Sequence, residues 1–234
     1  RNRSQVLAEN LIKWGNPGVI VTNNDPADFT ELGPLFDVIL TDVPCSGEGM
    51  FRKDEVAVQE WSIENVDTCW QRQRRILRDI WPCLKTGGLL IYSTCTYNRE
   101  ENEDNVAWIA QELGAEILPL ETQPDWHITG NLTGTEFPVY RFLPHKTTGE
   151  GLFMAVLRKT ADEPAVSVRT KTGGKASKKG KGGKVVVLQV PKEMKAWVQG
   201  AGDYVFEVND SEAMAFPAAY KDTYDLLKSQ LRIL

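Results

Sequence analysis

Short apolar runs alternate with longer amphipathic stretches from residue 1 to about residue 160, and this alternation constrains the fold more than any other feature of the chain. Parallel strands that are buried on both faces consist of nearly continuous apolar residues, and the helices that connect them have one apolar face. Residues 36–41 and 89–93 are the clearest apolar runs. We therefore predict an α/β domain built on a sheet of parallel strands.

Local signals place further elements at both ends of this domain. Apolar residues recur at helical spacing over residues 1–14 and Gly15 follows them, which predicts a helix that stops there. Residues 19–22 and residues 152–157 have the β-branched and apolar composition of strands. The domain is predicted to end near residue 160.

Capping residues mark two helices between the strands. Ser62 can cap a helix that runs to about residue 84, and a Gly-Gly pair then ends the connection to the next strand. Asn98, with Glu101 three positions later, resembles a capping box that opens a helix to about residue 113. Glu101 would then be an acid that favours the positive end of the helix dipole.

The composition of the chain changes after residue 161. Lys and Gly dominate residues 171–184 and hardly any apolar residue accompanies them, which predicts a flexible linker over residues 162–184. Strand-like and then helical patterns return beyond it, at residues 185–190, 204–208 and 220–234. We predict that residues 185–234 are the beginning of a small α+β domain.

The overall composition excludes several classes of protein. A chain of 234 residues with 41% hydrophobic residues can bury a substantial core. No apolar run approaches the roughly 20 residues that cross a bilayer, and the residues from Arg1 onward lack the basic-then-apolar pattern of a signal peptide. We therefore expect a cytoplasmic protein that does not enter a membrane. Because the net charge is −5, any nucleic-acid contact must come from a local basic surface.

The four cysteines lack CxxC spacing and only two histidines accompany them, which favours neither a zinc site, nor any other metal site, nor a disulfide framework. Cys45 lies in a loop rich in Pro and Gly after the first apolar run, and Cys95 directly follows the second. Ligands bind at the carboxyl ends of parallel strands, and neighbouring strands are about 4.8 Å apart. We expect these two thiols to face one pocket, whereas Cys69 and Cys83 have helical positions typical of small buried residues.

Four segments together resemble the RsmF-like branch of the RNA cytosine-C5 methyltransferases. They are residues 42–49, 92–96, 98–103 and 150–153, and the likeness extends from residue 1 to about residue 160. The resemblance implies that residues 1–161 are a catalytic domain with a Rossmann-like class I methyltransferase sheet. It further implies S-adenosylmethionine as the cofactor and RNA, first of all ribosomal RNA, as the substrate. Residues 185–234 lie beyond the resemblance and are a candidate RNA-binding domain.

The resemblance assigns roles to both loop cysteines. In this family the cysteine that matches Cys95 attacks the base, and the cysteine that matches Cys45 helps to release the product. Asp25 matches an acid near the adenine of the cofactor, although Asn-Asp before Pro26 is also a ready turn. Asp42 could hydrogen-bond the cytosine edge, lie close to the cofactor, or cap its own loop.

The reaction itself explains the need for a thiol. Carbon 5 of cytosine is a weak nucleophile, so a thiolate must first add to carbon 6. A free thiol has a pKa near 8.5, and the pocket must lower that pKa or remove the proton. After methyl transfer the carbon 5 proton must leave and the Cys95 adduct must eliminate, and Cys45 is suited to help as base or relay. DNA cytosine methyltransferases use the Pro-Cys cysteine as nucleophile instead, which is the nearest alternative chemistry.

Several other residues have both a functional and a structural interpretation. Arg52 and Lys53 follow the Cys45 segment closely and could bind RNA phosphate or hold the loop in place. His127 and His145 are expected at the surface. Five tryptophans are expected to pack in the core or between helices, namely Trp14, Trp61, Trp70, Trp81 and Trp108.

One part of the family pattern falls outside the chain. The Gly-rich cofactor loop and the acidic residue that holds the ribose would precede Arg1, so we expect these residues alone to bind cofactor weakly. A transfer RNA substrate stays open, as does a catalytically silent RNA-binding scaffold, which the two loop cysteines disfavour. A thiol redox protein is disfavoured by the 50 residues that separate Cys45 from Cys95.

Overall fold

The structure, a computed structural model, describes residues 2–161, 192–208 and 213–234. The chain divides into two compact units. The sheet unit consists of Pro26–Ser167, and the terminal unit combines Arg1–Asp25 with Val168–Leu234. The sequence predicts one domain over residues 1–161, whereas the first 25 residues group with the C-terminal residues. The predicted linker boundaries lie outside the described residues.

The described part of the chain contains six α-helices and seven strands. In chain order the α-helices are α1 (Asn2–Trp14), α2 (Glu55–Glu60), α3 (Ile63–Ile80), α4 (Glu103–Glu112), α5 (Lys192–Ala196) and α6 (Lys221–Gln230). The strands are β1 (Phe36–Asp42), β2 (Leu84–Thr94), β3 (Ala115–Leu118), β4 (Tyr140–Phe142), β5 (Leu152–Lys159), β6 (Tyr204–Val208) and β7 (Ala213–Pro217). Short 3₁₀ helices cover Pro26–Leu32, Glu48–Met50, Trp81–Cys83, Pro124–Trp126, Ala201–Asp203 and Ala218–Tyr220.

The sheet unit contains a mixed sheet with strand order β1-β2-β5-β3, and β4 lies beside β5. β1 pairs parallel with β2, while β5 pairs antiparallel with β2, β3 and β4. The first four strands therefore share one direction and β5 alone runs against them. The predicted α/β fold is confirmed, and its late strand is the antiparallel one.

β2 begins at Leu84, earlier than the predicted residue 89. Phe36 pairs with Leu84 and Val38 with Leu89, so the Gly-Gly pair lies in an irregular part of the ladder. Gly87 has a φ of +81°, and a Cβ atom on Gly88 would lie 3.0 Å from the carbonyl oxygen of Asp37. The two glycines therefore form a bulge within the strand instead of ending a connection.

One face of the sheet is covered by α3 and α4. Ser62 caps α3 as predicted, because its Oγ accepts from the Asn65 N–H at 3.1 Å. The helix ends at Ile80, before the predicted residue 84, since Pro82 cannot continue the hydrogen-bond ladder. The fully buried residues between helices and sheet are Leu77, Leu90, Tyr92, Val106, Ile109, Phe153 and Leu157. This core fixes the helices on either side of the two cysteines.

The terminal unit contains helix α1, as predicted. The strand predicted at residues 19–22 is wrong, because in the structure only Thr22 forms a bridge, antiparallel to Ile233. The Asn23 N–H donates to the carbonyl of Arg232 at 3.1 Å beside it. The partner of this segment is the far end of the chain, which local sequence patterns cannot reveal.

The C-terminal part of the terminal unit is a β-hairpin followed by a helix. β6 and β7 pair antiparallel, and Phe216 of β7 stacks on Tyr224 of α6 with ring centroids 4.7 Å apart. The predicted strand at residues 204–208 and the helix after residue 220 are confirmed. The Lys/Gly-rich stretch at 171–184 and the pattern at 185–190 lie outside the described residues.

The tryptophans divide into a buried and an exposed group. Trp81 and Trp108 are buried as predicted, and Trp70 is partly covered by the Arg74 guanidinium at 4.3 Å. The prediction is wrong for Trp14, which is 81% exposed, and for Trp61, which is 36% exposed. Trp14 is the last residue of α1, whose own apolar residues are largely exposed.

Candidate active site

The carboxyl ends of β1 and β2 lie side by side at one edge of the sheet. Asp42 and Ser93 are paired in the ladder, and the Val43 N–H continues it by donating to the Ser93 carbonyl at 3.2 Å. Two loops leave the sheet here. We call residues 43–54 the Cys45 loop and residues 95–102 the Cys95 loop.

The two loops bring their thiols into contact. The Sγ atoms of Cys45 and Cys95 lie 3.1 Å apart, and both side chains are half-buried. The structure thus places together the two cysteines that the sequence predicts to share a pocket. The half-buried position leaves them accessible from the open edge of the sheet, where a substrate can approach.

Two glycines permit this close approach of the loops. The Gly49 N–H donates to the Cys95 carbonyl at 2.8 Å, and a Cβ atom on Gly49 would lie only 2.5 Å from that oxygen. Gly47 has a φ of +80°, which side chains disfavour. The Gly residues of the Cys45 loop are therefore needed for backbone contact with the Cys95 loop.

The contact makes the two thiols chemically different. Cys45 donates its hydrogen bond to the Cys95 sulfur, which lowers the pKa of Cys95 to about 7 even though burial opposes the shift. The same hydrogen bond, with burial, raises the pKa of Cys45 far above its ordinary value. Cys95 is therefore the thiolate of the pair at neutral pH, and Cys45 keeps its proton.

Hydroxyl and amide groups surround the thiols. Ser46 Oγ and Thr96 Oγ1 lie 3.0 Å apart, and Asn98 Nδ2 lies 3.2 Å and 3.0 Å from these two oxygens. Asn102 holds the same loop from the other side, because it accepts from Thr94 Oγ1 and donates to the Thr96 carbonyl. Adjacent residues of both cysteines are thus fixed by side-chain hydrogen bonds.

The sequence prediction for Glu101 is wrong. Helix α4 begins only at Glu103, and Glu101 is completely buried ahead of it instead of serving the helix dipole. The Glu101 N–H donates to Asn98 Oδ1 as in the predicted capping box, but the backbone N–H of Asn98 donates to Glu48, and Glu101 accepts from the Asn98 side chain in a turn before the helix. The Glu101 carboxylate reaches across to the Cys45 loop and accepts from the Ser46 N–H at 3.1 Å.

Glu48 is a site residue that the sequence prediction missed. It lies in the Cys45 loop, is 8% exposed, and accepts from the backbone N–H groups of Tyr97 and Asn98 at 2.7 Å and 3.0 Å. The exposed Trp61 also donates to it, at 3.1 Å. The only signal in the sequence is the position of Glu48 between two loop glycines.

The two acids predicted near the cofactor are both exposed but belong to different units. Asp42 ends β1 beside the thiols, and its negative charge opposes the low pKa of Cys95. Asp25 is the last residue of the N-terminal segment of the terminal unit. Their contacts with a cofactor stay a prediction.

Arg52 and Lys53 extend the Cys45 loop on the surface. Arg52 Nη1 donates to the Gly149 carbonyl at 3.5 Å, and Lys53 Nζ lies 3.2 Å from a Glu150 carboxylate oxygen. Both basic side chains are exposed. They hold the loop to the segment before β5 and still present positive charge to solvent, so contact with RNA phosphate stays a prediction.

The other two cysteines and both histidines occupy the expected places. Cys69 and Cys83 are buried, with Cys83 donating to the Phe29 carbonyl at 2.8 Å. His127 and His145 are exposed.

Within residues 2–161, 192–208 and 213–234, no cluster of three or more His, Cys, Asp or Glu side chains could hold a metal ion. None of the helices in those ranges has the length and apolarity needed to cross a membrane.

Comparison with known proteins gives one family and several relatives. A family model described as 16S rRNA methyltransferase RsmB/F matches residues 1–158. Ribosomal RNA small subunit methyltransferase F of Vibrio cholerae is 31% identical over 216 residues, which cover 88% of this chain and 46% of the relative. The enzyme of the same name from Escherichia coli O157:H7 is 39% identical over 168 residues, which cover 70% of this chain and 34% of the relative. The chain thus spans less than half the length of these curated relatives.

Solved structures give the same picture of the fold. NSun6 from Pyrococcus horikoshii, solved with SFG, is 30% identical with a TM-score of 0.59, over 69% of this chain and 40% of that one. A methyltransferase homologue from the same organism is 31% identical with a TM-score of 0.56, and the match covers 68% of this chain and 50% of that one. These likenesses confirm the Rossmann-like methyltransferase fold.

Proposed function

Because the chain belongs to the 16S rRNA methyltransferase RsmB/F family, we propose that it forms the catalytic part of an RNA cytosine-C5 methyltransferase with Cys95 as nucleophile. The observation that carries this proposal is the 3.1 Å contact between the Cys45 and Cys95 sulfurs at the carboxyl ends of adjacent parallel strands. A chain that only bound RNA would need neither thiol.

Cys95 starts the reaction. Its thiolate adds to carbon 6 of the cytosine, forming a carbon–sulfur bond and making carbon 5 electron-rich. The pKa of about 7 supports this role, because a large share of Cys95 is thiolate at neutral pH. Carbon 5 then attacks the transferable methyl group, whose former carrier leaves with the bonding electron pair.

Release of the product requires two further bond changes. A base removes the proton from carbon 5, the 5,6 double bond forms again, and Cys95 leaves carbon 6 as a thiolate. Cys45 is placed to assist because it lies in contact with the leaving sulfur and keeps its own proton. A hydrogen bond from Cys45 stabilises the departing Cys95 thiolate.

S-adenosylmethionine supplies the methyl group in this proposal. Asp42 fits a place beside it, since its exposed carboxylate ends β1 next to the thiols and can accept hydrogen bonds from an amino group. The same carboxylate could instead bind the amino group of the cytosine. A relative in the same fold, NSun6, is solved with SFG, an analogue of this cofactor. Asp25 is proposed near the adenine on the strength of the family resemblance alone.

The proposed substrate is small-subunit ribosomal RNA, after the names of the relatives, and the proposed location is the cytoplasm. The exposed Arg52 and Lys53 at the end of the Cys45 loop are the proposed phosphate contacts. Since the net charge of the chain is −5, such local contacts must overcome a repulsive field.

Bisulfite sequencing of RNA from a strain without the gene tests the proposed function. We expect a 5-methylcytosine in small-subunit ribosomal RNA to be lost and to return with the wild-type gene but not with a Cys95→Ala variant. If a 5-methylcytosine were lost from transfer RNA instead, transfer RNA would be the substrate. An unchanged set of 5-methylcytosines would contradict methyltransferase function and favour the silent RNA-binding scaffold.

A further inference from the structure

Two buried carboxylates join the cysteine loops, and the reaction described above uses neither of them. Glu48 belongs to the Cys45 loop and is 8% exposed, and Glu101 belongs to the Cys95 loop and is 0% exposed. Burying a carboxylate is costly unless it is fully hydrogen-bonded. The burial of these two carboxylates is therefore explained by the hydrogen bonds that they accept.

Each carboxylate is bound by the loop to which it does not belong. Glu48 Oε2 accepts from the backbone N–H groups of Tyr97 and Asn98, which begin two residues after Cys95. Glu101 in turn accepts from the N–H of Ser46, the residue directly after Cys45, at 3.1 Å. The two contacts are reciprocal, and each acts on the backbone close to one cysteine.

Every hydrogen bond to the Glu48 and Glu101 carboxylates comes from an N–H donor. Glu48 Oε1 accepts from Asn98 Nδ2 and Trp61 Nε1, each at 3.1 Å. Glu101 accepts from Asn98 Nδ2 at 2.7 Å and from Gln73 Nε2 at 2.6 Å, besides Ser46. A carboxylate has only acceptors, so it suits these surroundings, whereas an amide of the same shape would turn an NH₂ group toward N–H donors.

We propose that Glu48 and Glu101 are positioning residues that together form a reciprocal clamp and set the contact between the Cys45 and Cys95 sulfurs. The proposal rests on the proposed function in that it takes Cys95 as the nucleophile. Asn98 is the shared centre of the clamp, because its side chain donates to both carboxylates.

The clamp acts on the chemistry through the distance between the sulfurs. The low pKa of Cys95 depends chiefly on the hydrogen bond from Cys45, and that bond requires the 3.1 Å contact. A loop that shifts by a few tenths of an ångström weakens the bond and returns Cys95 toward an ordinary thiol. The negative charges of Glu101 and Asp42 themselves raise the pKa of Cys95, so the two carboxylates of the clamp favour the thiolate through position and not through charge.

The test measures the pH dependence of Cys95 alkylation by iodoacetamide in wild type, Glu48→Gln and Glu101→Gln. Trypsin separates the four cysteines into the peptides 14–52, 54–72, 79–85 and 86–99, so mass spectrometry reports on Cys95 alone. In Glu48→Gln we expect the midpoint of the alkylation rate against pH to rise from near neutral toward the ordinary thiol value of about 8.5, with roughly a tenfold slower reaction at pH 7. In Glu101→Gln we expect a smaller rise, because the negative charge that is removed itself raises the pKa of Cys95. The rates should converge with wild type well above that pH.

Two control variants separate positioning from stability. Glu112→Gln makes the same carboxylate-to-amide change at an exposed position at the end of α4, and Ile109→Val lowers core packing in the same helix. We expect both controls to keep the wild-type midpoint. If Glu101→Gln fails to fold, Glu48→Gln carries the test alone.

An unchanged midpoint in folded Glu48→Gln would overturn the clamp, and so would an equal shift in the controls. Faster alkylation of Cys95 at every pH would also overturn the clamp, because that result would mean that the loops open and expose Cys95 without a change in its pKa. The measurement needs neither RNA nor cofactor. A failed clamp is therefore distinguishable from a failed methyltransferase assignment.

Discussion

The backbone N–H of Gly49 donates to the carbonyl oxygen of Cys95 at 2.8 Å, so the two cysteine loops touch backbone to backbone. This contact leaves no room for a side chain at position 49. The position of Cys95 thus depends on a residue that has no side chain of its own.

We predict that Gly49→Ala disturbs the site and the stability together. Its Cβ atom would lie 2.5 Å from the Cys95 oxygen, so one loop must move, at a cost of about 1–3 kcal/mol. Thermal unfolding measures the cost and Cys95 alkylation reports the displacement. Gly130→Ala is the control, since no atom lies within 4 Å of its added Cβ. Equal behaviour of the two variants would contradict the close-approach argument.

The pH dependence of Cys95 should change when Cys45 is removed. The pKa of Cys95 is lowered to about 7 chiefly by the Cys45 hydrogen bond, so reactivity should rise through neutral pH and level off above it. In Cys45→Ala the lost bond should raise the midpoint toward about 8.5, with little change at high pH. Alkylation rates across the pH range provide the measurement. A midpoint that stays near 7 would mean that another group lowers the pKa.

The buried ion pair between Arg141 and Glu103 should be the most sensitive charge pair in the sheet unit. Arg141 also donates to the Tyr97 carbonyl at 2.9 Å and so supports the Cys95 loop. Arg141→Ala leaves Glu103 buried and unpaired and should cost about 3–5 kcal/mol in denaturant unfolding. Arg158→Ala breaks the exposed pair with Glu116 and should cost under about 1 kcal/mol. Similar losses for both would refute this difference.

Lys53 should contribute to RNA affinity through charge. Lys53→Ala should weaken RNA binding. It should also make the plot of log affinity against log salt concentration less steep, by about 0.7–0.9 for one lost phosphate contact. Lys85→Ala is a matched control, because Lys85 is also an exposed lysine in an ion pair but lies near the amino end of β2. Filter binding at several salt concentrations distinguishes them. Equal slopes for both variants would rule out a phosphate contact specific to Lys53.

The sequence was sufficient to predict the parts of the fold that local patterns encode. The apolar runs predict β1 and β2, and the position of Cys45 and Cys95 after those runs predicts that they meet at one edge. The strand predicted at residues 19–22 failed because its single bridge partner, Ile233, lies at the other end of the chain.

The polar interior of the site was not predictable in the same way. Glu101 has the spacing of a helix-capping acid, and only the fold shows that it faces Ser46 across the two loops. Glu48 carries no pattern of its own, because its four donors come from three separate positions in the chain. Long-range hydrogen bonds of this kind follow from tertiary packing rather than from periodicity.

The central claim assigns attack to Cys95 and release to Cys45, and a denaturing gel with labelled RNA tests it directly. The complete protein is incubated with RNA and S-adenosylmethionine near pH 8.5, where about half of Cys95 is thiolate even without Cys45. Cys45→Ala should accumulate an RNA adduct that survives denaturation and depends on the cofactor, while Cys95→Ala and the double variant form none. An adduct with Cys95→Ala and none with Cys45→Ala would contradict the account and make Cys45 the nucleophile.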